Sequence, residues 1–152
     1  MNQSVFTSLA VALSIGMVSL TVARAEDIYA GPVRAEIVRI IDGDTIVVEA
    51  RPWPGQIVET SVRIRGVDTP ELRSSCEAER QAASIAKDYV VSLLREGETV
   101  QLRQIAGDKY FGRVVADVGL PDDRDLSSLL LEGGFAVSYD GGRKQAFVCP
   151  SS

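Results

Sequence analysis

The sequence predicts a mainly β fold of the α+β kind, a five-stranded barrel with one long and one short helix. Three observations point there. Two segments alternate apolar and polar residues with a period of two, and three more read as strands, one of them rich in β-branched residues. One long run with helical spacing separates the third segment from the fourth. Turns rich in Gly, Asp and Pro divide the segments from one another.

The elements follow in chain order. Val33, Ala35, Ile37 and Ile41 alternate with Arg34, Glu36 and Ile40, the pattern of a half-buried strand. Asp42-Gly43-Asp44 is a turn, and Thr45-Ile46-Val47-Val48-Glu49 resumes as a β-branched strand. Pro52-Trp53-Pro54-Gly55 turns the chain again. Val58, Thr60, Val62 and Ile64 then alternate with Glu59, Ser61, Arg63 and Arg65, which puts both arginines on the polar face. Ser74-x-x-Glu77 reads as a capping box for a helix whose apolar stripe is Ala78, Ala82, Ile85-Ala86, Tyr89-Val90 and Leu93-Leu94. Gly97 is its expected stop. Two further strands are expected over Thr99–Ile105 and Arg113–Val118. A short helix is expected around Leu126, Leu129 and Leu130, ended by Gly133-Gly134. Three meandering strands, a helix and two more strands form the element order of an OB-type barrel.

The chain has 152 residues, the size of one domain. Its first residues read as a secretory signal. Val5 to Ala23 carry no charge, and Ala23-Arg24-Ala25 is a small-x-small cleavage pattern before the acidic Glu26-Asp27. The expected organisation is a leader over 1–25 and one domain over 26–152, in a secreted or periplasmic protein. The competing reading is an uncleaved membrane anchor. Without the leader, 15 basic side chains face 21 acidic ones, a balance of −6. That disfavours tight, non-specific nucleic-acid binding but not brief binding of a substrate. The two cysteines, Cys76 and Cys149, are expected to form one bridge in an oxidising compartment. Closing a loop of about 74 residues would contribute roughly 4 kcal/mol in the chain-entropy picture.

The chain has no histidine. This removes Ser-His-Asp catalysis, Cys-His nucleophiles, His-ligated zinc and any nuclease using a His general base. Acid–base chemistry falls to carboxylates, metal-bound water, Lys or Tyr. Asp42 and Asp44 lie in the turn between the first two strands, and Asp68 and Glu71 follow the third. In a meander these positions meet at one end of the sheet. Four carboxylates at one rim call for a hard cation with oxygen ligands, calcium or magnesium. Asp-Gly-Asp alone is an ordinary hairpin turn; its convergence with Val67-Asp68-Thr69-Pro70-Glu71 carries the inference. Arg63 and Arg113 can each fork onto phosphate oxygens. Arg65, on the same face as Arg63, is expected to be merely solvated.

Ile41-Asp-Gly-Asp-Thr45, Val62-Arg-Ile-Arg-Gly-Val-Asp-Thr-Pro-Glu71 and Asp108-Lys-Tyr-Phe-Gly-Arg113 together resemble the thermonuclease (staphylococcal nuclease-like) family, from about Val33 to about Tyr139. The resemblance implies an OB-fold and a calcium-dependent endonuclease acting on DNA and RNA. It implies one calcium ion held by Asp44, Asp68 and the backbone carbonyl of Thr69, with Asp42 in the outer shell. It implies catalytic roles for Arg63 on the scissile phosphate, Glu71 on the attacking water and Arg113 on the leaving oxygen. Lys109 and Tyr110 would contact a neighbouring phosphate, and Tyr139 would stack near the base. Three departures stand out: Phe111 inserted between Tyr110 and Gly112, a short ending that looks like the secreted, cysteine-bearing branch, and an acidic balance. The expected protein is a monomer with nucleic acid as substrate and no stable membrane association after cleavage. The alternative is a non-catalytic OB-fold module of the cell envelope that binds nucleic acid or another ligand.

Overall fold

A computed structural model describes residues 27–150. The expected leader over 1–25 lies outside the described residues. Five strands, β1 (Val33–Ile40), β2 (Thr45–Arg51), β3 (Val58–Ile64), β5 (Thr99–Gly107) and β6 (Arg113–Gly119), close a barrel in the order β1-β2-β3-β6-β5. Neighbours are antiparallel except β3 and β6, which run parallel with Arg63 opposite Val115. Helix α1 (Glu77–Leu93) falls between β3 and β5, and α2 (Leu126–Glu132) follows β6. This is the expected five-stranded OB-type barrel with one long and one short helix.

The interior is filled by the inward residues of the strands. Ala35, Ile37, Ile46, Val48, Val62, Ile64, Val100, Leu102, Ala116 and Val118 are all buried. Val90 of α1, its C-cap Leu94, and Leu126 and Leu130 of α2 enter the same core. Full burial of an aliphatic side chain of this size contributes about 2 kcal/mol. Asp125 caps α2 by accepting from the Ser128 N–H at 2.9 Å.

Four local expectations are corrected. A bulge between Ile37 and Arg39 adds a residue to β1, so alternation flips: Ile40 packs on the core and Ile41 is exposed. The capping box is absent. The N-cap is Cys76, without a side-chain cap, and the Ser74 hydroxyl instead accepts from the Cys76 N–H and donates to Glu79. The buried stripe of α1 is Ala83, Ala86 and Val90, while Ile85 faces solvent. The helix stops at Leu93, before Gly97, whose left-handed φ of 80° serves the following turn.

Two short strands were not foreseen. β4 (Val67–Asp68) pairs antiparallel with β7 (Val137–Ser138). This pair seats the chain that follows β7 beside the end of β3. The Cys76–Cys149 bridge is present, with a Cα–Cα distance of 6.0 Å, and ties the end of that chain to the start of α1.

Candidate active site

The β1–β2 turn is locked in place by its own backbone. Ile41 and Asp42 donate to the Thr45 carbonyl, and the Asp44 N–H donates to Asp42 Oδ1 at 3.1 Å. The Ile64 N–H reaches the Asp44 carbonyl at 2.8 Å, which joins the turn to the end of β3. Gly43 is required by close approach: a Cβ there would lie 2.9 Å from both Thr69 Cγ2 and Ala86 Cβ. The turn therefore packs directly on the segment after β4 and on α1.

Asp44 and Asp68 are both buried at 6 % exposure. Asp44 Oδ2 accepts from the Thr69 N–H and hydroxyl, each at 2.9 Å, and Oδ1 accepts from the Thr45 hydroxyl. Arg63 lies between the two acids, with one terminal nitrogen 2.5 Å from Asp44 Oδ2 and the other donating to Asp68 Oδ1 at 2.9 Å. Lys144 sits on the other side, 2.9 Å from Asp68 Oδ1 and 2.5 Å from Glu71 Oε1. The expected rim of carboxylates thus has cations threaded through it. Among the described residues no three carboxylate or thiol side chains gather as a metal-binding group. Asp42, behind Asp44, is pushed up to about 6 by burial and by the Asp44 charge.

The narrower ligand set suits a hard cation. It needs two side chains, Asp44 and Asp68, and the Thr69 carbonyl. Among the described residues neither Asp68 Oδ2 nor that carbonyl accepts a hydrogen bond. All of these donors are oxygens, as calcium prefers.

Arg113 opens β6 opposite Ser61 of β3. Its Nε donates to Asp108 at 2.5 Å, and its guanidinium carbon lies 4.6 Å from the Tyr110 ring centroid. Burial works to raise the Asp108 carboxyl. The bond and charge of Arg113, with the N–H groups of Lys109 and Tyr110, outweigh burial and hold it below its ordinary value. The inserted Phe111 is accommodated by a turn with Gly112 at φ 79°, and its side chain points wholly into solvent. Arg113 follows that turn as the first paired residue of β6. Lys109 Nζ stands over the Tyr110 ring at 5.2 Å.

Arg63, Lys109, Tyr110, Arg113, Tyr139 and Lys144 all line one cavity of about 570 Å³. Tyr139 is held by its N–H to the Gly66 carbonyl, and its ring lies 6.0 Å from the Arg63 guanidinium carbon. Glu71 stands apart from that wall, on the exposed turn after β4, and reaches it through Lys144. Sequence reasoning missed Lys144. Its only signal was its position in a tail anchored by Cys149.

Arg65 is corrected too. It donates to the Gln104 and Val115 carbonyls and pairs with Asp117 at 3.4 Å, so it braces the β5 bulge against β6 instead of being free in solvent. Gln104 there has a φ of 50°.

No curated protein sequence matches the chain. The family model described as staphylococcal nuclease homologue matches residues 61–147, which contain Arg63, Asp68, Glu71, Arg113 and the tail lysine. With a closed barrel of five strands and these residues on its rim, the chain belongs to the staphylococcal nuclease homologue family.

Proposed function

We propose that this protein is a calcium-dependent endonuclease that hydrolyses phosphodiester bonds of DNA, RNA or both, in the periplasm or outside the cell. One observation carries the reading: the two guanidinium groups suited to phosphate, Arg63 and Arg113, open on one cavity beside the buried pair Asp44 and Asp68. Asp44, Asp68 and the Thr69 carbonyl would hold the calcium ion, with Asp42 behind them. The bound ion would offset the carboxylate charge and polarise a phosphoryl oxygen.

Arg63 binds the scissile phosphate, exchanging contacts with Asp44 and Asp68 for phosphate oxygens. Glu71 accepts or orients the proton of the attacking water. As water adds to phosphorus, charge builds on the oxygens, and the Arg63 and Arg113 forks stabilise it. Arg113 also supports the leaving oxygen as its bond to phosphorus breaks. Lys109 and Tyr110 bind a neighbouring phosphate, and Tyr139 offers a ring to a base. The disulfide suits an oxidising compartment. Among the described residues no helix is long and apolar enough to cross a membrane.

The test is incubation of the mature chain with heat-denatured DNA, with calcium and then with chelator. Cleavage with calcium that stops on chelation is expected. Cleavage that survives chelation would refute the calcium mechanism. Binding without cleavage under any divalent ion would favour the non-catalytic OB-fold module.

A further inference from the structure

Among the described residues the Glu71 carboxylate has one hydrogen-bond partner, the Lys144 ammonium at 2.5 Å. The Glu71 side chain is 58 % exposed, on a turn held at its backbone N–H by Glu79. A carboxylate that must aim at one water needs a fixed orientation, and an exposed glutamate does not have one by itself. Lys144 is held more firmly than its place in a tail suggests. Its Nζ also contacts the buried Asp68 at 2.9 Å. The segment carrying it is pinned at one end by the β4–β7 pair and the Tyr139–Gly66 bond, and at the other by Cys149.

We propose that Lys144 is a positioning residue that fixes the Glu71 carboxylate beside Asp68, so that the disulfide-anchored tail completes the active site. This rests on the nuclease reading above. The Glu71–Lys144 pair is about half exposed and such pairs contribute little to stability, and buried Asp68 keeps Arg63 as its partner when Lys144 is replaced. Its removal should therefore be seen in turnover and not in melting.

The experiment is a double-mutant cycle on the disulfide-bonded mature chain, assayed on heat-denatured DNA with saturating calcium. Lys144→Gln is expected to lower kcat about 10- to 100-fold, the usual cost of losing a group that orients an active carboxylate, with the melting temperature unchanged. Lys144→Arg should restore most of the rate. In a Glu71→Gln background, Lys144→Gln should cost less than about 2-fold, because the two act as a unit. A Lys144→Gln rate within about 2-fold of the parent, or a rise in rate, would overturn the proposal. So would a loss of the same size in both backgrounds. A second readout does not need turnover: acetylation of Lys144, followed by mass spectrometry without metal, should be faster in Glu71→Gln and in Cys149→Ser. Equal rates would overturn the contact. If the parent chain does not cleave under any divalent ion, the nuclease reading fails and the positioning role fails with it. A cleaving parent with an indifferent Lys144 removes this inference alone.

Discussion

Arg63 lies between Asp44 and Asp68 with 11 % of its side chain exposed. Removing one partner from a buried ion pair leaves charge uncompensated, which is much costlier than losing the pair as a whole. Arg63→Met should therefore destabilise the metal-free protein by about 3 kcal/mol in urea unfolding, and excess calcium should return part of that loss. Full stability without metal would mean that the acids are not held by Arg63. Asp108 and Arg113 form a second, partly buried pair, with the acid side chain 9 % exposed and the arginine 26 %. The folded Asp108 carboxyl lies below its ordinary 3.8, so it binds fewer protons folded than unfolded in that range. Its stabilisation is present above the unfolded value and is lost as pH falls through the folded one. The gap between parent and Asp108→Asn should be about 1 kcal/mol above pH ~5, should begin to narrow near pH ~4 and should close only below the folded value, as read from denaturant curves across pH. A gap that widens in acid would contradict the pair.

The β1–β2 turn is the element on which the site depends. It has no room at Gly43, where a Cβ would meet Thr69 and α1 at 2.9 Å. Gly43→Ala should cost about 1–3 kcal/mol through overpacking, and it should weaken calcium binding by parting Asp44 from Thr69. Titration calorimetry and thermal melting of that variant measure both. Unchanged calcium binding would mean that the turn does not set the site. Alternation made β1 and β3 legible because each buries one face, whereas β2, buried on both faces from Thr45 to Val48, was legible from its β-branched residues. The bulge after Ile37 was not legible, since one extra residue leaves no mark in composition yet exchanges Ile40 for Ile41 at the core. The two-residue strands β4 and β7 are too short to show a period at all. The start of α1 misled because Ser74 and Glu77 have the right spacing, while Ser74 bonds to Glu79.

On the scale of the molecule, an acidic chain with the proposed activity has to present its cations locally. The formal net charge is −5 for the full sequence, yet Arg63, Lys109, Arg113 and Lys144 line one cavity. Substrate affinity should then rest on a few contacts against a repulsive background. The rate at low substrate should fall steeply with salt, with a log–log slope of about −2 to −3 for three or four phosphate contacts to a single strand. A flat salt profile would remove phosphate contact as the source of binding. Local order was enough to determine much of this protein. Alternation, β-branched runs and helical spacing point to the barrel strands and both helices, the missing histidine restricts the chemistry, and three short motifs point to the residues on the rim. Only the tertiary structure decided what stands between those residues. Arg63 and Lys144 separate the carboxylates, Arg65 braces β5 on β6, and a tail from the far end of the sequence reaches Glu71. The physical reason is range. Periodicity reports which face a residue takes within its own element, whereas these contacts span up to 73 positions and exist only once strand pairing and a disulfide bring the ends together.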